Sequence, residues 1–152
     1  MIQLKIGDKA PEINSVDQNN QSITLKQFKG SKIVLYFYPK DMTPGCTTQS
    51  CNLRDNYQVL LEKGYIVLGC STDSSVRHVK FIQKHDLPFS LISDEDKKVV
   101  KDYGVWGLKR FMGKEYMGIA RISYLINEEG KIQHIFDKVK TKSHACDVLD
   151  IL

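Results

Sequence analysis

The chain has 152 residues, of which 41% are hydrophobic and 26% are charged, a composition typical of one globular domain. The net charge of +4 is spread along the chain, which argues against a nucleic-acid-binding surface. The longest apolar run, Ile33–Tyr38, is too short to span a bilayer. Four cysteines are too few for a secreted disulfide scaffold, and residues 1–12 lack a signal-peptide pattern. We therefore expect a cytoplasmic protein with reduced thiols that binds neither nucleic acid nor membrane.

The N-terminal part of the chain predicts a hairpin and a central strand. Apolar residues alternate loosely on either side of Asn19-Asn20, which is typical of a peripheral hairpin. The run Ile33–Tyr38 is apolar at consecutive positions, as expected of a strand that is buried on both faces. A loop over residues 39–45 follows this strand.

A helix is predicted over residues 44–63. Thr43 can cap its start, Pro44 suits its first position, and Gly64 suits the position after its end. The next apolar run, residues 65–71, is the natural parallel partner of the first strand. The three segments together predict a right-handed βαβ unit.

The second half of the chain predicts three helices, a short strand, a loop and a hairpin. The first of these helices follows Ser74-Ser75, is expected to bury Val76, Val79 and Ile82, and stops before Pro88. The other elements, in chain order, are a strand over 89–92, a helix with Val99, Val100 and Tyr103 that Ser93 and Asp96 cap, a loop over 104–118, hairpin strands over 121–127 and 131–136, and a helix over 142–152.

This order of elements predicts an α/β protein with a thioredoxin-like fold. We expect a central mixed β-sheet flanked by helices, with an N-terminal hairpin, in a single domain over residues 1–152. The chain contains no internal repeat and no linker-like segment, which favours one domain over two.

Cys46 is the candidate nucleophile. It lies in the first turn of the predicted helix, where unpaired backbone N–H groups and the helix dipole favour an anion. The thiolate is that anion, and it is the reactive form of cysteine. The alternative is a small buried apolar residue. The position after Thr-Pro-Gly favours the reactive cysteine.

Cys51 lies five residues after Cys46. In an intact helix this spacing separates the two Cα atoms by about 8.7 Å, whereas a disulfide needs them within about 7 Å. The pair can therefore bond only if the start of the helix unwinds; otherwise Cys51 is an ordinary helix residue. The spacing also differs from the C-x-x-C of thioredoxin-type dithiols.

The histidines do not predict a metal site. The chain has His78, His85, His134 and His144, and no two of them are spaced as metal ligands are. We expect surface or helix-end histidines, with no bound metal.

The segment Pro39–Cys46 (PKDMTPGC) matches the P-x-x-x-T-x-x-C signature of peroxiredoxins. The longer segment 36–55 (YFYPKDMTPGCTTQSCNLRD) resembles the peroxiredoxin Q, or bacterioferritin comigratory protein, subfamily. Further similar blocks follow in the matching order at residues 7–11, 104–127 and 130–141. The resemblance therefore covers nearly the whole chain.

The resemblance implies a thioredoxin-dependent peroxidase for hydrogen peroxide and organic hydroperoxides, without a cofactor. Cys46 corresponds to the peroxidatic cysteine, which attacks the peroxide and becomes a sulfenic acid. Thr43 and Arg121 correspond to the residues that hold the peroxide and the thiolate. Cys51 corresponds to the resolving cysteine, which forms an intramolecular disulfide with Cys46. Thioredoxin or a similar dithiol protein would then reduce this disulfide.

Two cysteines lie outside the subfamily's pattern. We expect Cys70 to be an inert thiol in a core strand and Cys146 to be exposed on the last helix. We also expect a monomer. Other functions remain open at this point: a disulfide oxidoreductase on the same fold, a redox-sensing interaction module that uses Cys46 stoichiometrically, and a holdase.

Overall fold

The computed structural model describes residues 4–151. Its strands are β1 (Asn14–Val16), β2 (Ser22–Thr24), β3 (Lys32–Phe37), β4 (Tyr65–Ser71), β5 (Ser90–Ser93), β6 (Trp106–Phe111), β7 (Lys114–Ile119), β8 (Ser123–Ile126) and β9 (Ile132–Phe136). Its α-helices are α1 (Pro44–Asp55), α2 (Tyr57–Glu62), α3 (Ser75–His85), α4 (Lys98–Asp102) and α5 (His144–Ile151). The last residue of the predicted final helix, 152, lies outside the described residues. No helix within 4–151 is both long enough and apolar enough to cross a membrane.

Among the described residues, seven strands form one mixed sheet in the order β2-β1-β5-β4-β3-β8-β9, and β6 pairs with β7 in a separate ribbon. Strands β3, β4 and β5 are parallel, whereas β1 with β2 and β8 with β9 form antiparallel pairs. The predicted N-terminal hairpin, βαβ unit and C-terminal hairpin are therefore confirmed. So is the α/β class with a central mixed sheet flanked by helices.

The sheet separates two apolar clusters, because successive residues of a strand point to opposite faces. On one face, Val34 and Tyr36 lie with residues of α1, α2, α3 and α5. On the other face, Ile33, Leu35 and Phe37 lie with the N-terminal hairpin and α4. Strand β3 is thus buried on both faces, as its unbroken apolar run predicted.

The helix predicted over residues 44–63 is two helices, because the chain leaves the helical conformation at Asn56. The Asn56 side-chain amide donates to the Asn52 carbonyl oxygen at 2.9 Å. Side-chain bonds of this kind compete with the helical hydrogen-bond ladder. The prediction of one continuous helix is therefore wrong, although its start at Pro44 is confirmed.

The loop predicted over residues 104–118 is also wrong, since β6 and β7 form a hairpin there. Met112 and Gly113 connect the two strands with φ of 51° and 79°, as a two-residue hairpin turn requires. Leu108 and Phe111 remain exposed on the hairpin. Because apolar residues lie on both of its faces, the sequence lacks the alternation that indicates a half-buried strand.

The buried face of α3 differs from the prediction. Val76 is exposed, whereas His78 is fully buried. His144 is fully buried as well, but it is the first residue of α5. The expected surface or helix-end position is therefore wrong for His78, which lies inside α3, whereas the helix-end position is confirmed for His144. Each finds a polar partner in the interior: His78 Nδ1 lies 2.6 Å from Asp41 Oδ2, and His144 Nε2 lies 2.8 Å from Ser123 Oγ.

The main side-chain cap of α4 is Asp94, although Asp96 Oδ1 also accepts a hydrogen bond from the Lys98 backbone N–H at 3.4 Å, as part of the predicted cap. The Asp94 carboxylate accepts hydrogen bonds from the backbone N–H groups of Val99 at 3.2 Å and Val100 at 2.8 Å. These bonds satisfy donors that the first turn of a helix leaves unpaired. The expected Ser93 cap is therefore wrong, and a carboxylate one residue later takes its place.

Candidate active site

The start of α1 lies against β3 and β4. Tyr36 and Gly69 face each other on these strands, and a Cβ at Gly69 would lie 2.9 Å from the Tyr36 ring. Glycine therefore lets the Tyr36 ring lie against β4. The Tyr36 hydroxyl is 2.9 Å from Ser50 Oγ, and Ser50 follows Cys46 by one helical turn. This buried contact fixes α1 on the sheet and leaves Cys46 only 1% exposed.

Arg121 is brought directly to the candidate nucleophile. Its Nη2 donates to Cys46 Sγ at 3.1 Å, and its Nη1 donates to Gln49 Oε1 at 2.6 Å. A Cβ at Gly45 would lie 3.3 Å from Arg121 Nη2, so the glycine leaves room for the guanidinium. A cation this close, together with the N-terminal end of α1, stabilises the anionic form of a buried thiol.

Gln49 is a site residue that the sequence interpretation missed. It is fully buried and, as the hydrogen-bond partner of Arg121, fixes the plane of the guanidinium. Its position three residues after Cys46 places both side chains on one face of α1. That spacing was the available signal, but it identifies Gln49 only once the position of Arg121 is known.

Thr43 lies at the N-cap position of α1 with an extended backbone. Within residues 4–151 its hydroxyl caps no N–H group of the helix; it donates instead to the Lys40 carbonyl oxygen at 2.8 Å. The predicted side-chain cap is therefore wrong. The bond to Lys40 spans the turn at Met42, where φ is 67°, and fixes the position of the Thr43 hydroxyl. Thr43 precedes Cys46 by three residues in the chain.

Lys109 supplies a second positive charge near this site. Its Nζ donates to the Ile119 carbonyl oxygen at 2.8 Å, two residues before Arg121. Burial, together with the nearby charge of Arg121, lowers the pKa of Lys109. The hairpin of β6 and β7 thus contributes a cation, Lys109, at a position that the sequence predicted to lie in a loop.

The other cysteines differ in exposure. Cys51 lies half-buried in the same helix as Cys46, and both are free thiols. The structure therefore shows them in an intact helix, the arrangement in which the spacing forbids a disulfide. Cys70 is buried in β4 and Cys146 is exposed on α5, both as expected.

A buried thiol beside a guanidinium, at the start of a helix on this sheet, defines a thiol-based oxidoreductase. Residues 6–135 match the AhpC/TSA family model, and the chain belongs to that family. It is 50% identical over 152 residues to peroxiredoxin Bcp of Escherichia coli strain K12, covering 100% of this chain and 97% of the relative. It is 44% identical over 149 residues to peroxiredoxin Bcp of Bacillus subtilis strain 168, covering 98% and 95%.

Two solved structures share the fold over nearly the whole chain. Peroxiredoxin Q of Xanthomonas campestris superposes with a TM-score of 0.88 at 32% identity, covering 99% of this chain and 95% of that one. A mutant of PrxQ from Xylella fastidiosa gives 0.92 at 30% identity, covering 99% and 96%. The thioredoxin-like fold and the peroxiredoxin Q resemblance are therefore confirmed. Membership of this family makes the protein a peroxidase with hydroperoxide substrates and a thiol reductant.

Proposed function

We propose that the protein is a thioredoxin-dependent peroxidase in which the Cys46 thiolate reduces hydroperoxides. The observation that carries this proposal is the 3.1 Å contact between Arg121 Nη2 and Cys46 Sγ at the start of α1. A thiolate buried without a partner would be strongly disfavoured, whereas a guanidinium and a helix N-terminus offset that cost. The contact therefore favours the ionised sulfur that the reaction needs.

In the proposed first step, Cys46 Sγ attacks the terminal oxygen of the hydroperoxide. The S–O bond forms as the O–O bond breaks, and the departing oxygen takes up a proton to leave as water or an alcohol. Arg121 stabilises the charge on the oxygens during the transfer. The Thr43 hydroxyl hydrogen is directed at Lys40, so its oxygen can accept the O–H of the hydroperoxide and orient it.

In the second step, Cys51 attacks the Cys46 sulfenic acid, and an S–S bond forms as water leaves. This requires the first turns of α1 to unwind. The local sequence supports that change, because Gly45, Thr47 and Thr48 all have low helix propensity. In addition, the Thr48 hydroxyl donates to the Pro44 carbonyl oxygen at 2.9 Å, a bond that weakens helices slightly.

The third step is reduction of the Cys46–Cys51 disulfide by thioredoxin or a similar dithiol protein, through thiol–disulfide exchange. A disulfide that must be reduced in every cycle suits a reducing compartment, which supports the cytoplasm as the site of action. The related Xanthomonas campestris bacterioferritin comigratory protein has an alkyl peroxide reduction activity, which supports organic hydroperoxides as substrates beside hydrogen peroxide. We propose that the enzyme acts as a monomer, since a single chain supplies Cys46, Thr43, Arg121 and Cys51.

Steady-state peroxide consumption with thioredoxin, thioredoxin reductase and NADPH tests the proposal. We expect turnover in the wild type, none in Cys46→Ser, and wild-type turnover in Cys70→Ser, a matched substitution of another buried thiol. Unchanged turnover in Cys46→Ser would contradict the proposal. Insulin reduction without peroxide is the parallel assay, and activity there would instead favour a disulfide oxidoreductase.

A further inference from the structure

The loop between β3 and α1 is anchored through Asp41. This side chain is only 1% exposed, although it lies in a loop. Its Oδ1 accepts a hydrogen bond from the Tyr38 hydroxyl at 2.6 Å, and its Oδ2 lies 2.6 Å from His78 Nδ1. Burial raises the pKa of Tyr38, so the hydroxyl keeps the proton that it donates. Asp41 is therefore held on both carboxylate oxygens.

His78 reaches this carboxylate from α3. Its Nε2 lies 3.0 Å from the carbonyl oxygen of Ile92. A carbonyl oxygen only accepts hydrogen bonds, so Nε2 carries a proton. The contact between Nδ1 and Asp41 then needs one further proton between the two atoms. Asp41 and His78 thus form a buried pair that shares a proton.

The backbone of Asp41 is held as well. Its N–H donates to Asp73 Oδ2 at 2.8 Å, and its carbonyl oxygen accepts from Arg77 Nη2 at 3.2 Å. The next residue is Met42, whose φ of 67° is unfavourable for a residue with a side chain. The anchor at Asp41 therefore holds a strained turn immediately before Thr43.

The same cluster offers atoms that a metal could use, since ligand atoms of Asp41, Asp73 and His78 lie within 4.8 Å of one another. Each carboxylate oxygen and each ring nitrogen of these residues nevertheless has a hydrogen-bond partner within the protein. The atoms are thus already engaged with one another and with neighbouring groups. The cluster is a hydrogen-bonded anchor of the loop.

We propose that Asp41 and His78 are positioning residues for the reaction of Cys46 with peroxide. The proposal rests on the peroxidase function above. It adds that the loop carrying Thr43 and the helix α1 have separate roles, because the loop stays fixed while α1 unwinds. The hydrogen-bond partners of Asp41 are Tyr38 directly after β3, Asp73 before α3, and Arg77 and His78 on α3, and none of these four lies on α1. The loop that carries Thr43 therefore stays in place when α1 unwinds, and α1 can refold against it after reduction.

Timing the two steps of the reaction separately tests these different roles of the loop and of α1. Reduced protein is mixed with hydrogen peroxide, and sulfenic acid formation and disulfide formation are timed separately by rapid quench and mass spectrometry. In Asp41→Ala and His78→Phe we expect the peroxide step to slow about 10- to 100-fold, the usual consequence of a small misplacement. Disulfide formation should be unchanged or faster, because it needs the unwound helix.

Two further variants separate positioning from general destabilisation. Asp41→Asn should react within about threefold of the wild type, because the amide can still accept from Tyr38 and donate to a neutral His78. Asp94→Asn is the matched control, a buried carboxylate that caps α4 and lies outside the anchor. It should lower the melting temperature without slowing the peroxide step. Equal slowing of both steps in Asp41→Ala, or no slowing at all, would overturn the proposal.

Amide hydrogen exchange over residues 40–43 provides a readout that needs no peroxide. We expect faster exchange there in reduced Asp41→Ala and wild-type exchange in Asp94→Asn. Unchanged exchange over residues 40–43 in Asp41→Ala would contradict the proposal that Asp41 anchors the loop, whatever the rate of the peroxide step. A wild-type protein that does not react with peroxide would instead contradict the proposed function, so the two failures are distinguishable.

Discussion

The start of α1 and the middle of the sheet each bury a cysteine, in opposite chemical surroundings. Cys46 and Cys70 are 1% and 0% exposed. Cys46 lies in the first turn of a helix and accepts a hydrogen bond from Arg121. Cys70 lies among apolar residues of β4, where burial, together with the charge of Asp94, raises the pKa of its thiol well above the ordinary value.

The difference shows that burial alone does not decide whether a cysteine reacts. In a strand interior the N–H groups bond to neighbouring strands, and within residues 4–151 the Cys70 sulfur has no hydrogen-bond donor that could stabilise a thiolate. The first turn of a helix leaves N–H groups free, and Arg121 adds a full positive charge. We therefore expect reactivity to follow the donors around each sulfur.

Removing the cation should make the surroundings of Cys46 resemble those of Cys70. In Arg121→Met we expect the rate of reaction with peroxide to fall about 10²- to 10³-fold, the usual cost of losing one charge-stabilising donor. Stopped-flow mixing of the reduced protein with hydrogen peroxide measures this rate.

Arg110→Met is the matched control, because Arg110 lies exposed on β6 and its guanidinium pairs with Glu115. It should react at the wild-type rate. Arg121→Lys should fall between the two, since it keeps the charge but not the fork that contacts both Gln49 and Cys46. A wild-type rate in Arg121→Met would show that the contact with Arg121 does not explain why Cys46 reacts and Cys70 does not.

The hydroxyl of Thr43 should contribute less than the cation. In Thr43→Val we expect a 10- to 100-fold slower peroxide step, corresponding to about 1.5–3 kcal/mol for a hydrogen bond to a charged group. Thr48→Val removes a hydroxyl further along α1 that donates to the Pro44 carbonyl oxygen. If both variants slow the reaction equally, Thr43 acts through helix stability and not through the substrate.

Cys51 should affect turnover more than the first chemical step. Cys51→Ser is expected to react with the first equivalent of peroxide at the wild-type rate and then to accumulate sulfenic and sulfinic acid on Cys46. Turnover with thioredoxin should fall several-fold. Intact-mass analysis checks this, since the wild type should instead lose two hydrogens. A disulfide mapped to Cys146 would contradict the assignment of Cys51.

His144 extends the comparison to a buried base. Burial, opposed by Asp147 and reinforced by Arg121, lowers its pKa to about 4, whereas the unfolded value is about 6.5. The unfolded chain therefore binds a proton that the folded protein does not, and stability is lost as the pH falls from 6.5 towards 4. Between pH 7 and pH 5, the wild type should lose about 2 kcal/mol relative to His144→Gln. Urea unfolding of both proteins at pH 7 and pH 5 measures their free energies of unfolding. If the wild type and His144→Gln differ by the same amount at both pH values, the prediction is contradicted.

The sequence predicts best the elements whose apolar pattern is local. Strand β3 is one example, and the helix start at Pro44 is another, because Pro and the residues beside it restrict the backbone directly. The break at Asn56 depends on a side-chain bond that competes with the helix. The hairpin of β6 and β7 escaped prediction because its apolar residues lie on both faces, several of them exposed.

The residues of the candidate site also fall into two groups, those that the sequence identifies and those that only the fold identifies. Cys46 could be identified from its position after Thr-Pro-Gly, and the resemblance indicated Arg121. Gln49 and His78 could not be found, because each matters through a partner that is distant in the chain. Arg121 lies 72 residues from Gln49, and Asp41 lies 37 residues from His78. Only the fold brings such pairs together.

The central claim is that peroxide oxidises the sulfur that Arg121 contacts. The direct measurement is dimedone trapping in Cys51→Ser: the reduced variant receives one equivalent of hydrogen peroxide at neutral pH, and the labelled peptide is mapped by mass spectrometry. The label should lie on Cys46, with Cys70 unmodified. A label on Cys70 or Cys146, with Cys46 still reduced, would contradict the account.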